Sequence, residues 1–216
     1  MRLYILVLSG FLATMLSACS PPTAIGVDPA LSPQERDRIQ TDAPRPEIAP
    51  AEQLRRTTLS FTVNVPVAFM ADWFGSVPLQ DMVEATDAIP RVVETQLLTE
   101  AWAGAGARRR IILENGDTAL EDILVDDLPR SFRYIAWNYT TDAARFVEYG
   151  VGEFSMAPTG DHQTRVTWTY AFKPRCLLGR VFIGRFVETT WSDWMQGAAQ
   201  AMSEHAEEAY AEQVTP

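Results

Sequence analysis

The strongest constraint on the fold is a run of short alternating segments closed by one long helical period. Residues 57–65 (TTLSFTVNV) place Leu59, Phe61, Val63 and Val65 on one face of a strand. Pro66 ends that strand, and 66–76 has helical spacing, with Phe69, Trp73 and Phe74 on one side. A second short helix is expected near Leu79 to Ala85. Strand-like runs follow at 91–102, 107–114, 118–126, 130–140, 146–157 and 163–173. Asn115-Gly116-Asp117 and Pro158-Thr159-Gly160-Asp161 supply hairpin turns between them. The last run, 179–212, repeats apolar residues at helical spacing: Phe182, Phe186, Trp191, Trp194, Ala198, Met202, His205 and Ala209. Many antiparallel strands and one long helix predict an α+β fold, a curved sheet of about seven strands wrapped on that helix.

The N-terminal part has a different character. Met1-Arg2 is positive and residues 3–16 are uncharged and mostly apolar, too short for a comfortable transmembrane helix. Leu16-Ser17-Ala18-Cys19 then resembles the bacterial lipobox, which implies a signal peptide over 1–18 and lipidation of Cys19. Ser20, where Asp would signal retention, resembles the pattern sorted to an outer membrane facing the periplasm. The expected localisation is thus the cell envelope, on the extracytoplasmic side. Between 19 and 53 lie seven of the 14 prolines and no aromatic residue, so this segment is expected to be an extended tether with a capped turn at Ser32-Pro33-Gln34-Glu35. The folded domain is expected over 54–216.

Charge narrows the function. Eighteen basic residues against 28 acidic ones give a net charge of −10, and no basic run forms the footprint that nucleic acid needs. If Cys19 is acylated, Cys176 has no partner within the chain, and beside Leu177-Leu178 it reads as a small buried residue. His162 in a turn and His205 on the last helix make neither a zinc set nor a catalytic dyad, and no nucleotide or hydrolase motif occurs. No metal or cofactor is expected.

Gly104-Ala105-Gly106-Ala107-Arg108-Arg109-Arg110, Glu114-Asn115-Gly116-Asp117 and Leu120-Glu121-Asp122-Ile123 together resemble the START-like, helix-grip (SRPBCC) superfamily. The match is nearest its polyketide cyclase/dehydrase and lipid-transport branch. Arg133-Tyr134, Tyr149 and Arg165-Val166-Thr167-Trp168 extend it over residues 57–212. The resemblance implies a cavity between sheet and C-terminal helix that holds an apolar or amphipathic small molecule, lipid-like in chemistry. Candidate ligand-binding residues are Arg109, Ile111, Glu121, Tyr134, Tyr149, Trp168, Tyr170 and Trp194. Two registers of the 107–126 hairpin compete. A two-residue turn puts Arg110 opposite Glu121; a loop at 115–117 puts Ile111 there, with Arg109, Ile111, Leu113, Ala119, Glu121 and Ile123 on one face. The outer reading of Arg109 and Glu121 is a solvated ion pair. The main expectation is a lipid-anchored binding module. The alternatives are a cyclase/dehydratase-type enzyme using Glu121 or a cavity tyrosine as acid or base, and an envelope interaction module whose pocket is filled by its own aromatics.

Overall fold

The structure, a computed structural model, describes residues 32–215 except Glu84 and Asp87. The lipobox and Cys19 lie outside the described residues. Helix α1 spans Pro33–Thr41, and Ser32 and Glu35 cap it reciprocally as the sequence predicts. Strand β1 (Arg55–Val63) follows, then α2 (Val67–Ser76) and the single turn α3 (Leu79–Met82). Strands β2 (Val92–Leu97), β3 (Arg108–Leu113), β4 (Thr118–Asp127), β5 (Ser131–Trp137), β6 (Val147–Gly160) and β7 (Gln163–Pro174) complete the sheet. The chain ends in α4 (Leu177–Phe186), a π-helical turn (Val187–Trp191) and α5 (Ser192–Val214). The sheet is antiparallel in the order β1-β7-β6-β5-β4-β3-β2, so consecutive strands pair except where β1 closes on β7. This is the expected α+β helix-grip architecture.

The inner face of the sheet carries the main core. Val63, Val166 and Ile123 are fully buried there, together with Met195, Met202 and Ala206 of α5. The β7 alternation holds as expected: Val166, Trp168, Tyr170 and Phe172 join this core. On the opposite face, Thr167 and Thr169 pair with Ser60 and Thr58 of β1 through side-chain hydroxyls. The C-terminal end of α5 is pinned by Glu207, which accepts from the Asn64 backbone N–H and amide at 2.8 Å. His205 adds a further contact, its Nδ1 lying 2.7 Å from the Asp81 carbonyl.

Four expectations need correction. The expected strand 91–102 stops at Leu97; the chain beyond it bends, and Gly104 and Gly106 at positive φ turn it back into β3. Both expected registers of the β3–β4 hairpin are displaced. Arg109 stands opposite Glu121 and Ile111 opposite Ala119. Gly116, at φ 84°, closes a three-residue loop over 114–116, and Leu113 N–H donates to the Asp117 carbonyl beyond it. The shift from the 115–117 loop is even, so the face shared by Arg109, Ile111, Ala119 and Glu121 survives.

The Pro-rich segment is the third correction. From residue 37 to 54 it is a strap laid across the outer face of the sheet. There it covers a second apolar cluster of Leu120, Ile135, Trp137, Tyr149 and Val151, with Ala43 and Leu54 packed on it. Arg110 reaches Asp37 at 2.6 Å, and Arg108 grips Asp122 while donating to the Thr41 and Ala43 carbonyls. Asn138 donates to the Gln40 carbonyl at 2.9 Å. The strap lacks aromatic residues but satisfies its backbone polar groups on arginines and a tyrosine, which composition does not reveal.

Cys176 is the fourth. It caps α4, its Sγ accepting from Gly179 N–H at 3.1 Å. It is disulfide-bonded, and so is more than the small buried residue expected of it.

Candidate functional site

Between the inner face of the sheet and the C-terminal helix lies a cavity of about 580 Å³, within the usual range for small-molecule sites. Seven of the expected residues stand on its wall: Arg109, Ile111, Glu121, Tyr134, Trp168, Tyr170 and Trp194. Tyr149 does not. A bulge between Val147 and Tyr149 returns Val147 to the cavity wall, while Tyr149 keeps the β6 alternation and stands on the outer face. There its hydroxyl accepts the Ala49 N–H at 2.6 Å and anchors the strap.

One end of the wall is aromatic. Trp168 of β7 stacks on Phe154 at 4.9 Å and meets Trp194 edge-on at 5.7 Å. Trp191, on the π-helical turn, contacts Trp194, Tyr170 and Phe172 at 4.5–4.9 Å. The indole N–H groups of Trp168 and Trp191 are buried with no hydrogen-bond partner among the described residues. Such donors cost about 1–3 kcal/mol each while unpaired.

The polar end is built on β3 and β4. Arg109 Nε and Nη2 both lie 2.7 Å from Glu121 Oε2, and both side chains are nearly buried. The guanidinium also lies over the Trp102 ring, 4.0 Å from its centre. The pairing across β3 and β4 makes this a buried, oriented ion pair, so the solvated outer reading does not hold. Its charges cancel locally, and a ligand head meets a dipole rather than a free carboxylate.

Three tyrosines close the middle. Tyr139 donates to the Ala136 carbonyl at 2.8 Å and hydrogen-bonds the Tyr170 hydroxyl. Burial pushes the phenols of Tyr134, Tyr139 and Tyr170 above their ordinary value, and the negative Glu121 adds to the shift. Tyr134 and Tyr139 keep accessible area because they face the cavity. Glycines on β6 make room for the rings. A Cβ at Gly150 would meet the Tyr170 ring at 2.6 Å, and one at Gly152 would collide with the Tyr134 ring. Tyr139, Trp102 and Trp191 were not expected on the wall; for Tyr139 the available signal was Gly150, where a Cβ would come 3.0 Å from its hydroxyl, and the two tryptophans had none.

The model of the family "Polyketide cyclase / dehydrase and lipid transport" matches residues 55–207.

The chain belongs to that family.

Its match begins where the strap ends. No curated protein matches the chain. Among solved structures, the protein XoxI from Bacillus cereus is 18% identical with a TM-score of 0.52, covering 69% of this chain and 94% of that one. Norcoclaurine synthase from Thalictrum flavum, in complex with dopamine and hydroxybenzaldehyde, is 11% identical with a TM-score of 0.53, covering 81% and 99%. The di-domain ARO/CYC protein BexL, from the BE-7585A biosynthetic pathway, is 15% identical with a TM-score of 0.53, covering 71% and 46%. At these identities the likeness establishes a shared fold, and a ligand-binding cavity is what the family fold suggests.

Proposed function

We propose that the chain binds an apolar or amphipathic, lipid-like small molecule while anchored by a lipid at Cys19 on the extracytoplasmic side of a membrane. The outer membrane is the anchoring site where the cell has one. The observation that carries the binding reading is the composition of the wall. One end is indole and phenyl rings; the other holds the Arg109–Glu121 pair and three phenols within the same cavity. A molecule with an apolar body and a hydrogen-bonding head matches both ends. The unpaired Trp168 and Trp191 N–H groups are further donors for an acceptor on such a ligand.

The cyclase/dehydratase reading draws on the likeness to BexL and norcoclaurine synthase and on the same side chains. It is the weaker reading for a chemical reason. A general base or acid works best with a pKa near ambient pH, whereas the three phenols are shifted away from it, upward. Glu121 meanwhile is engaged by Arg109 through two contacts at 2.7 Å. The filled-pocket interaction module requires a solid core, and a cavity of about 580 Å³ speaks against it.

The anchor and the disulfide bear on each other. A thioether at the Cys19 sulfur and a disulfide through that same atom exclude one another, so the two states of that sulfur are alternatives. Organic extraction of the purified protein, followed by mass spectrometry, tests the binding reading. A co-extracted amphiphile in near-stoichiometric amount supports it, and its absence together with failure to bind an apolar dye overturns it. Cys19→Ser tests the anchor: the variant is expected to accumulate unprocessed and to take up no labelled fatty acid. Lipidation persisting in that variant would refute the anchor.

A further inference from the structure

Helix α4 is apolar on both sides. Its inner side, Gly179 and Ile183, is buried against the domain. Its opposite side carries Leu177, Leu178, Val181 and Phe182, which are 75, 52, 74 and 55% exposed. Leu177, Leu178 and Val181 fall on the helical face directed away from the core, and Phe182 stands at its edge, where it reaches the cavity. An apolar helix normally has a second partner on such a face, and contiguous exposed patches of this kind mark interaction sites.

Charge identifies the partner. The chain as a whole is at −10, yet between Asp161 and Glu188 it has Arg165, Lys173, Arg175, Arg180 and Arg185 and no acidic residue. Arg185 is exposed in the last turn of α4, and Arg180 flanks the apolar face. Arg55 of β1 adds a third cation, its Nε 3.4 Å from the Arg180 carbonyl. None of the three forms an ion pair with a described residue. Acidic groups nearby are Glu52, whose carbonyl accepts from Arg180, Glu148, beside the internally bonded Arg175, and Glu188, exposed in the π-helical turn that follows α4. The face is also continuous with the cavity, since Phe182 lines the cavity and stacks on Phe146 at 4.7 Å.

We infer that the outer face of α4 docks on an anionic lipid bilayer, with Leu177, Leu178, Val181 and Phe182 in the acyl–headgroup boundary and the arginines on lipid phosphates. This places the cavity mouth at the membrane surface and goes beyond the anchor, which only limits how far the domain can stray. It does not depend on what the cavity holds.

The test uses a chain beginning at Ser20, which keeps every described residue and carries no lipid, held under reducing conditions so that Cys176 cannot link two copies. It is floated with phosphatidylcholine vesicles, with or without a third of phosphatidylglycerol, at low and high salt. Flotation with the anionic vesicles that weakens in high salt is expected. Arg185→Gln is expected to weaken it roughly fivefold, as for one basic residue at an anionic surface. Leu178→Ser/Val181→Ser is expected to weaken it by more than about tenfold. Both variants should keep the parent's thermal midpoint and apolar-dye binding. The inference is overturned if the parent does not float, or if both variants float as the parent does. It is also overturned if the parent is a dimer that only the Leu178/Val181 variant breaks, which would assign the face to a second copy. Loss of dye binding with flotation intact would refute the cavity reading and leave this inference standing.

Discussion

Removing the strap tests whether the Pro-rich segment is part of the folded unit. The comparison is between a chain that begins at Ser32 and one that begins at Arg55. In the intact structure Leu120, Ile135, Trp137, Tyr149 and Val151 are 0–5% exposed beneath it. Full burial of one such side chain is worth about 1.5–3 kcal/mol, and the strap covers only the outer side of each. About 1 kcal/mol apiece gives roughly 5 kcal/mol of gross cover. Fixing the segment's backbone offsets part of this, less than usual because Pro44, Pro46 and Pro50 are already restricted. A net loss of about 2–4 kcal/mol follows, which at roughly 2–4 °C per kcal/mol for a domain of this size lowers the midpoint by about 5–15 °C. Thermal denaturation followed by circular dichroism reads it directly. Tyr149→Phe isolates one contact, the 2.6 Å bond from Ala49 N–H, and should cost about 1 kcal/mol. A difference below about 2 °C between the two chains, with Tyr149→Phe silent, would show that the strap is held too weakly to matter and restore the tether.

Other outcomes follow from the cavity wall. Gly152→Ala forces the Tyr134 ring into the cavity, so it should weaken binding of an apolar dye about tenfold while costing about 1–3 kcal/mol in a melt. Glu121→Gln leaves Arg109 charged and unpaired at a nearly buried site. It should destabilise the fold by about 3 kcal/mol and favour anionic over neutral amphiphiles in a competition titration. Ultraviolet titration should find Tyr134, Tyr139 and Tyr170 still protonated where ordinary phenols, at 10.0, are half ionised. Because these folded-state values are raised, their contribution to stability is complete below pH 10.0 and is lost as pH climbs toward the folded values. Free titration of all six tyrosines near their ordinary value would refute that burial.

Element order and the inner face of β7 were legible because alternation over Val166, Trp168, Tyr170 and Phe172 is a local signal. The face of Arg109 and Glu121 was legible for the same reason, but their register was not. That depended on which residue of Glu114-Asn115-Gly116-Asp117 takes positive φ, and Gly116 taking it moved the loop by one position. Tyr149 was misplaced although the alternation marks it: Gly150, Gly152 and Phe154 face in, so Tyr149 and Val151 face out, and the bulge only returns Val147 to the inner face. The strap was hidden for a different reason. Its contacts run from Arg108, Arg110, Asn138 and Tyr149 of the sheet to backbone groups of the segment, and backbone groups are the same in every sequence. The π-helical turn that places Trp191 in the wall is likewise invisible to a 3.6-residue period.

The central claim is that one amphipathic molecule occupies the space between the tryptophans and the Arg109–Glu121 pair. Titration of the folded chain with an apolar, environment-sensitive dye, read by energy transfer from tryptophan, tests it most directly. The account predicts one saturable site, competed by the co-extracted amphiphile and weakened by Gly152→Ala. Absence of a saturable site in the parent chain, or a site that Gly152→Ala leaves unchanged, would contradict it.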